Sequence, residues 1–447
     1  MKKKAMEVEI ISTETITPSS SPPSLHLKFF KLSLLDQLSP FTYTSLVFFY
    51  ALDATHDDLL LSDGLKTSLS KALTEFYLLA GAVENNTEIL GNGVGALFQT
   101  ARVHGAMLEF LKQSSFESLS RLIPYQSVPS LSTKEAIHPQ VAVQLNTFSG
   151  GGVAVGACFL HKIIDGTTLS CFLRRWAAAA RGFVEEEQPE YAAALFPQRG
   201  LSAGNSWLSK GYSPFVGGGR ICRRRFGFEG GAILELKEEA KSESVKNPTG
   251  VEVVTGFIWK HAIRAATQRS GSQQPSVLTH AVDLRRRMAP PLPPTSMGNL
   301  FWSAVAYYDS SNTDIELREL VSLLRRSFVD IDDKFIEKMA GEDGFQAISN
   351  WFIRMQELFS SKPYAYGFTS WRNLGLNDVD FGWGKPSWVS FAGPENSVLR
   401  NIVVLKEAIL GDGIEAWILL DEDEMNILEN DQQFLAFASL NPIIHLA

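Results

Sequence analysis

The chain has 447 residues and a formal net charge of −8, with 45% hydrophobic and 20% charged residues. A chain of this length predicts roughly two to three domains, and its composition is ordinary for a globular protein. The acidic balance argues against binding to a nucleic-acid phosphate backbone, which requires a concentrated positive surface.

The first half of the chain predicts a mixed order of strands and helices. Alternating or continuous apolar runs predict strands in residues 26–35, in two arms of residues 85–104 around a glycine turn, and in residues 139–145 and 153–160. Apolar residues at helical spacing predict helices in residues 59–79 and 166–181.

The second half repeats this mixed order after an irregular segment. Residues 184–219 contain a triple glutamate, prolines and a triple glycine, which predict a long connection between domains. Strands are predicted in residues 276–282, 300–307, 402–405 and 416–420, and helices in residues 252–267, 315–339 and 421–429. We expect an α/β fold with two similar-sized domains, each a mixed sheet flanked by helices, in residues 1–184 and 220–447, with a linker in 185–219.

Three cysteines, Cys158, Cys171 and Cys222, are too few to form a disulfide framework in a chain of this length. Lysines begin the chain, but the apolar core of a signal peptide does not follow them. The sequence also contains no apolar stretch long enough to cross a bilayer. These features predict a soluble protein of the cytoplasm.

His161 is the first candidate for chemistry. It follows the predicted strand 153–160, Asp165 lies four residues later, and Gly166 begins the predicted helix. A strand end that leads into a helix is a common position for reactive side chains in α/β folds. A neutral imidazole with a pKa near 6.5 is suited to removing a proton from a hydroxyl. A core histidine followed by a helix-capping aspartate is the alternative interpretation of this pattern.

A second candidate is the DFGWG segment, which contains Asp380, Gly382, Trp383 and Gly384. Two glycines around a tryptophan allow the backbone to turn sharply beside a large aromatic side chain. The alternative interpretation is a turn at a strand end, with Trp383 packed in the core.

Arg285 is a third candidate, because it lies at the end of the predicted strand 276–282 in a VDLR sequence. An arginine in this position can form a bidentate pair with a carboxylate, or it can lie on the surface. Asn299 follows it after a proline-rich loop at residues 289–295. The basic run Arg223–Arg225 is interpreted instead as a solvated face with local salt bridges.

Together these motifs resemble the plant BAHD acyltransferases, whose marks are an HxxxD sequence followed by glycine and a DFGWG sequence near the C-terminus. Both motifs are present without substitution and in the expected order. The resemblance covers nearly the whole chain and is nearest to the vinorine synthase-like branch, whose members mostly acetylate alcohols on alkaloids and terpenoids. It implies two domains similar to chloramphenicol acetyltransferase.

The resemblance implies that His161 acts as general base in a channel between the two domains. Acyl-CoA, with acetyl-CoA as the default, would be a co-substrate, and the acceptor would be a small alcohol or amine. No permanently bound cofactor is implied, and a monomer without nucleic-acid or membrane partners is expected. Asp165 is implied to point away from His161 and to pair with Arg285, which supports the turn together with Gly166.

The same resemblance implies structural roles beside the CoA channel for Asp380, Gly382 and Gly384. Trp383 and Asn299 are expected to line the channel that holds the substrates. Malonyl-CoA or an aromatic acyl-CoA as donor, and nitrogen as the acceptor atom, stay open as alternatives.

Functions of other classes have weaker support. Residues 91–96 match the G-x-G-x-x-A fingerprint of an NAD(P)-dependent oxidoreductase, but residues 97–103 look extended where that fingerprint requires a helix. A binding protein without catalysis would be expected to change His161 or Gly166. A condensation domain would carry a second histidine where Leu160 stands. Neither an HExxH sequence nor cysteine pairs at ligand spacing indicate a metal site.

Overall fold

The computed structural model describes residues 6–20, 29–91, 93–125, 138–199, 213–215, 219–310, 314–393, 399–409 and 411–444. They form an α/β fold with two large mixed sheets, as the sequence predicts. The strands are β1 (Val8–Ile16), β2 (Phe29–Lys31), β3 (Tyr43–Tyr50), β4 (Ala82–Glu84), β5 (Glu88–Leu90), β6 (Ala96–Val103), β7 (Val141–Phe148), β8 (Val153–Leu160), β9 (Glu190–Tyr191), β10 (Ile221–Phe228), β11 (Ser276–Asp283), β12 (Ser296–Met297), β13 (Phe301–Tyr308), β14 (Tyr364–Ser370), β15 (Trp388–Ala392), β16 (Ile402–Glu407), β17 (Ile414–Asp421) and β18 (Ser439–Leu440). The α-helices are α1 (Leu34–Leu38), α2 (Asp58–Glu75), α3 (Met107–Lys112), α4 (Phe116–Ser120), α5 (Gly166–Ala180), α6 (Gly230–Glu239), α7 (Gly250–Ser270), α8 (Leu317–Val329), α9 (Asp333–Ala340), α10 (Gly344–Ser360), α11 (Glu422–Asn430) and α12 (Gln432–Leu435).

The first sheet has six strands in the order β1-β6-β7-β8-β3-β15, with β6 and β7 parallel and the other neighbours antiparallel. One face packs on α2 and α5 through residues such as Leu69 and Phe172. The other face, with Ala154 and Cys158, turns toward the second sheet. Because both faces are covered, β7 and β8 are buried along their whole length and are rich in apolar residues.

The second sheet has seven strands in the order β13-β11-β14-β16-β17-β10-β18. Helices α7, α8 and α11 pack on one face through residues such as Ile258, Leu320 and Met425. Strand β17 alternates between the two sides, because Ile418 joins that core whereas Trp417 joins the core shared with the first sheet. The two sheets are therefore held together by one apolar layer between them.

A buried polar cluster lies within that layer around Glu415. Its carboxylate accepts hydrogen bonds from Arg225 at 3.2 Å, Trp388 at 3.3 Å and Trp417 at 2.9 Å, and the Nζ atom of Lys406 lies 3.2 Å away. Arg225 is only 7% exposed, so the prediction of a solvated face is wrong for this residue. Its charge is satisfied in the protein interior rather than by water.

The predicted helical region 315–339 is confirmed as helical, but it consists of two helices, α8 and α9, with a break between them. The Oδ1 atom of Asp332 accepts from the Phe335 amide at 2.8 Å and caps α9. The apolar spacing continues across the break, and a periodicity argument therefore could not locate it. The capping aspartate was the available signal.

Two predictions in the first hundred residues are also corrected. Of the predicted strand 26–35, residues 26–28 lie outside the described residues, Phe29–Lys31 is a strand, and Leu34 begins α1. The two strands predicted around the glycines at 91–95 are not partners in a hairpin. Strand β5 pairs with β2 and β4, whereas β6 pairs with β1 and β7, so the glycine segment links two sheets.

The predicted linker 185–219 is only partly described, because residues 200–212 and 216–218 lie outside the described residues. Within it, β9 pairs in parallel with β12 of the second half. Strand β15 also crosses the predicted division, since it joins the first sheet beside β3. The domain boundaries stay a prediction.

Candidate active site

His161 is the first residue after strand β8, and its backbone N–H donates to the carbonyl of Thr42 at 2.9 Å. The strand before it is buried throughout, whereas His161 itself is partly exposed. Its ring lies edge-on to Phe301 from the second half of the chain, with the ring centroids 5.7 Å apart. The structure therefore places this histidine at the end of a central strand, where the two halves of the chain meet.

The turn after His161 leads directly into α5. Ile164 forms an isolated parallel bridge with Gly298 of the second half. Asp165 caps the helix, because its Oδ1 atom accepts from the Thr168 amide at 2.8 Å. A Cβ atom at Gly166 would lie 3.2 Å from the Leu374 side chain, so glycine permits this close approach. The predicted strand, turn and helix are confirmed in this region.

Asp165 and Arg285 form a buried bidentate pair between the two halves of the chain. The Nη1 atom of Arg285 donates to Oδ2 of Asp165 at 2.7 Å, and Nη2 donates to Oδ1 at 3.1 Å. The guanidinium also donates to the carbonyls of Ser296 and Gly298. The Leu300 amide donates to Oδ2 of Asp165 at 3.0 Å. Both carboxylate oxygens are thus occupied by donors other than His161.

The charge of Arg285 is stabilised despite its burial. Burial disfavours the charged guanidinium, but the charge and hydrogen bonds of Asp165, together with Asp283, outweigh it and raise the pKa of Arg285. Arg285 is 1% exposed. A buried arginine with this geometry depends on its carboxylate partner, because an unpaired charge in the interior is costly.

Asn299 lies fully buried beside the His161 backbone. Its Nδ2 atom donates to the His161 carbonyl at 3.2 Å and to Oδ1 of Asp36 at 3.0 Å. Its Oδ1 atom has no hydrogen-bond partner among the described residues. Sequence reasoning placed Asn299 near the site, and the structure brings it into direct contact with His161.

Burial is the main influence on the His161 side chain and lowers its pKa below the usual value. Hydrogen bonding to its own backbone, the charge of Asp165 and the Asn299 side chain act in the opposite direction but are weaker. The lowered pKa keeps the imidazole neutral near neutral pH, and a neutral imidazole can accept a proton. The Nδ1 atom is buried and unpartnered within the described part of the chain.

The DFGWG segment forms a tight turn held by Asp380. Its Oδ1 atom accepts from the amides of Gly382 at 2.8 Å and Gly384 at 2.9 Å. Both glycines have positive φ values, 98° and 88°, which favour glycine at these positions. Trp383 is half-buried and contacts Tyr50 edge-on at 5.4 Å.

This turn lies at the opposite end of β3 from His161. Tyr50 pairs with Val153 at the start of β8, whereas Tyr43 pairs with Leu160 at its end. Eight residues of strand correspond to roughly 25 Å, so Trp383 and Asp380 do not contact His161. The position of Trp383 along a substrate channel stays a prediction.

The features linked to other functions are not assembled into sites. Residues 96–103 form a strand, so the helix that a dinucleotide fingerprint requires is missing; Asn92 of that motif lies outside the described residues. Across the described ranges, no three His, Cys, Asp or Glu side chains are grouped as ligands for a metal ion. In the same part of the chain, every helix is too short or too polar to span a membrane.

Sequence reasoning missed several residues that surround the site. Asp36 lies far from His161 in the chain but reaches it through Asn299, and Lys162 is buried beside it. A capping-box pattern at Ser33 and Asp36 was the one local signal. Contacts across more than a hundred residues cannot be found from spacing.

The pattern of the Transferase family matches residues 6–435. The chain is 37% identical over 452 residues to epi-neemfruitin B 7-O-acetyltransferase of Melia azedarach, which covers 98% of this chain and 99% of the relative. It is 33% identical to stemmadenine O-acetyltransferase of Catharanthus roseus, over 96% and 97% of the two chains.

Solved structures give a similar result. The crystal structure of vinorine synthase superposes with a TM-score of 0.81 at 32% identity, over 97% of this chain and 99% of the other. The TRI101 protein of F. sporotrichioides, complexed with coenzyme A and T-2, has a TM-score of 0.74 at 18% identity over 92% and 100%. At that lower identity the likeness concerns the fold alone.

Proposed function

Because this chain belongs to the Transferase family, the plant BAHD acyltransferases, we propose that it moves an acetyl group from acetyl-CoA to a hydroxyl of an alkaloid or terpenoid, with His161 as the general base. The chain is an acyltransferase that uses acyl-CoA as co-substrate. The choice of acetyl group and acceptor class is supported by the names of its relatives, which acetylate oxygen atoms of plant metabolites.

The observation that carries the general-base assignment is the position of His161. It is partly exposed where the two halves of the chain meet, and its pKa is lowered by burial. Asp165 is saturated by donors from Arg285, Thr168 and Leu300. Lys162, the third titratable group of the motif, is buried and donates to the carbonyls of Gln37 and Ser39. His161 is therefore the group of the motif that can take up a proton from a substrate.

In the first step, Nε2 of His161 removes the proton of the acceptor hydroxyl as its oxygen attacks the thioester carbonyl. A carbon–oxygen bond forms, and the carbonyl electron pair moves onto oxygen. In the second step the tetrahedral intermediate collapses, the carbon–sulfur bond breaks, and the imidazolium returns the proton to the CoA sulfur. A covalent acyl-enzyme is not required, because the thioester is already activated.

The remaining site residues have supporting roles in this proposal. The pair between Asp165 and Arg285 holds the turn that carries His161, and Gly166 allows Leu374 to pack against that turn. Asn299 orients His161 through its amide group. The turn formed by residues 380–384 supports the first sheet beside Tyr50, away from the reacting atoms.

The test is acceptor-dependent release of CoA thiol. Purified protein is mixed with acetyl-CoA, malonyl-CoA or a hydroxycinnamoyl-CoA and with pooled alkaloid and terpenoid alcohols, and products are weighed by mass spectrometry. We expect a product heavier by one acetyl group. We also expect His161→Ala to lower turnover by roughly 10²- to 10⁴-fold with an unchanged melting temperature. The matched control is His104→Ala, because His104 is an exposed histidine at the end of β6.

The possible results separate the parts of the proposal. A malonylated or aromatic product would overturn the acetyl donor but not the reaction class. A product on nitrogen, with amine acceptors added to the pool, would overturn O-acylation. Near-normal turnover in a folded His161→Ala protein would overturn the general base. Equal losses in His161→Ala and His104→Ala would have the same consequence.

We further propose that the protein acts as a monomer in the cytoplasm. All three cysteines are free, and two of them, Cys158 and Cys171, are buried. This usage suits a reducing compartment. Sedimentation of the purified protein and imaging of a fluorescent fusion in plant cells test the two parts; a dimer or a secretory-pathway signal would overturn the respective part.

A further inference from the structure

The carboxylate of Asp36 lies in the protein interior next to the proposed active site and is fully buried. Its Oδ2 atom accepts from the backbone amide of Ser33 at 3.1 Å, from the Ser33 hydroxyl at 2.6 Å and from the Tyr191 hydroxyl. Its Oδ1 atom accepts from the backbone amide of Asn299 at 2.8 Å and from Nδ2 of Asn299 at 3.0 Å. A carboxylate offers about four lone-pair positions, so five donors saturate it.

This arrangement decides how the Asn299 amide is oriented. Its Nδ2 atom lies between two acceptors, Oδ1 of Asp36 and the carbonyl of His161. If the nitrogen and oxygen of the Asn299 amide exchanged places, its oxygen would face Oδ1 of Asp36 and the carbonyl oxygen of His161, which is unfavourable. The Asp36 carboxylate therefore holds Nδ2 of Asn299 toward itself, and Oδ1 of Asn299 points away from Asp36.

Among the described residues, Asn299 and His161 each carry one buried polar atom without a partner. Oδ1 of Asn299 and Nδ1 of His161 are both buried and lack a hydrogen-bond partner among the residues that the structure describes. The two residues are in direct contact, because Nδ2 of Asn299 donates to the His161 carbonyl at 3.2 Å. The Asn299 side chain also raises the pKa of His161, against the larger effect of burial. An acceptor near Nδ1 favours the tautomer with the proton on Nδ1, because each ring nitrogen takes the role that its neighbour permits.

The helix that carries Asp36 is fixed at both ends. Ser33 and Asp36 form a capping box at the start of α1. At its end, Nζ of Lys162 donates to the carbonyls of Gln37 at 3.3 Å and Ser39 at 2.6 Å. Because Lys162 directly follows His161, these hydrogen bonds connect α1 to the same turn that carries the proposed base.

We propose that Asp36 is a positioning residue for the acyl transfer, which holds the Asn299 amide so that its oxygen selects the Nδ1–H tautomer of His161 and leaves Nε2 free to accept the substrate proton. This inference rests on the proposed function of His161 as general base. The relay of contacts runs from Asp36 through Asn299 to His161. Asp165 does not orient His161 in this way, because its carboxylate is occupied by Arg285.

The variant that tests this relay is Asp36→Asn. An amide at position 36 presents a donor either to Asn299 or to Ser33 and Tyr191, so one set of hydrogen bonds is lost. The matched control is Tyr191→Phe, which removes one donor from the other carboxylate oxygen and leaves the Asn299 contacts in place. Folding of both variants is checked by melting temperature and near-ultraviolet circular dichroism.

Two readouts separate positioning from support of the fold. In folded Asp36→Asn we expect kcat to fall roughly 10²-fold with the KM for acetyl-CoA within about twofold, whereas Tyr191→Phe stays within about threefold of the parent. In protein labelled with ¹⁵N-histidine, the NMR shifts of His161, assigned with His161→Gln, should report Nδ1–H in the parent and in Tyr191→Phe. They should report a gain of Nε2–H in Asp36→Asn.

The tautomer measurement on the parent protein needs neither activity nor a folded variant. An Nε2–H tautomer in the parent overturns the relay even if Asp36→Asn does not fold. Equal losses of kcat in Asp36→Asn and Tyr191→Phe, or an unchanged tautomer in folded Asp36→Asn, overturn it as well. If the parent transfers no acetyl group, the proposed function fails, but the tautomer still tests the relay.

Discussion

The substitution Asp165→Asn tests whether the aspartate of the HxxxD motif supports the fold or acts on His161. Asparagine can still cap α5 at the Thr168 amide, so the change keeps the cap and removes the charge beside Arg285 together with one acceptor atom. In the structure, four hydrogen bonds reach the two oxygens of Asp165: two from Arg285 and one each from the amides of Thr168 and Leu300. An amide nitrogen in place of either oxygen would face two of these donors.

The expected cost follows from burial. Asp165 is 5% exposed and Arg285 is 1% exposed, and removal of one partner from such a pair destabilises a protein by about 3–5 kcal/mol. For a domain of this size that loss corresponds to a melting temperature lower by roughly 6–20 °C. We therefore expect a poor yield of folded protein. Below the new melting temperature, turnover per folded molecule should persist to a slightly lower pH than in the parent, because the charge of Asp165 raises the pKa of His161.

The assay is calorimetry of purified protein, followed by acetyl transfer per folded molecule at several pH values. Asp283→Asn is the matched control, because Asp283 also contacts Arg285, at 3.2 Å, but has a side chain that is 42% exposed. An exposed pair contributes about 0–1 kcal/mol, so this control should melt within a few degrees of the parent. An Asp165→Asn protein with parental stability but strongly reduced turnover at every pH would refute the reasoning and give Asp165 a direct role.

Other features of the structure lead to two further predictions. Burial lowers the pKa of His161, and the base must be unprotonated to act. We therefore expect kcat/KM to be level at higher pH and to fall only as the pH drops through a value below 6.5. A half-maximal pH above 7 would contradict this. At Gly156 a Cβ atom would lie 1.8 Å from the carbonyl oxygen of Leu122, so Gly156→Ala should abolish folded yield in a soluble-expression assay. Gly231→Ala, with nothing within 4 Å of its new Cβ, is the control and should fold as the parent does; normal yield of Gly156→Ala would contradict the packing argument.

The parts of the fold that follow from local pattern were predicted well. Strand β8 and helix α5 begin and end within one residue of their predicted bounds, because β8 is buried on both faces and α5 has a strong apolar stripe. The signals for both elements lie within the segment itself. The turn that carries His161 could therefore be placed between them from sequence.

Elements that depend on distant partners were not predicted. Strand β10 contains three consecutive arginines, and its burial depends on partners such as Glu415, about two hundred residues later. Helix α6 was also missed: it lacks a side-chain cap and begins with two glycines, which weaken a helix. Local propensity is overridden in such places by contacts that only the folded chain supplies.

The candidate site shows the same division. The positions of His161 and Asp165 follow from the motif and its flanking elements, and the pairing with Arg285 was implied by the resemblance to a family. The positions of Asp36 and Lys162 depend on hydrogen bonds to residues that are up to 263 positions apart in the chain. Contacts between residues so far apart in the chain cannot be predicted from a single sequence.

Strand β15 completes the first sheet late in the synthesis of the protein. Six of the eight residues of β3 are buried, and β15 covers one edge of this strand. More than two hundred residues separate the end of β8 from β15, which at about 5–20 residues per second takes the ribosome on the order of 10 to 50 s. Throughout that interval the nascent first sheet exposes an apolar edge of the kind that pairs with other chains. Newly made protein is therefore most at risk of aggregation before its last sixty residues emerge, and chaperones that bind extended apolar segments would be needed at that stage.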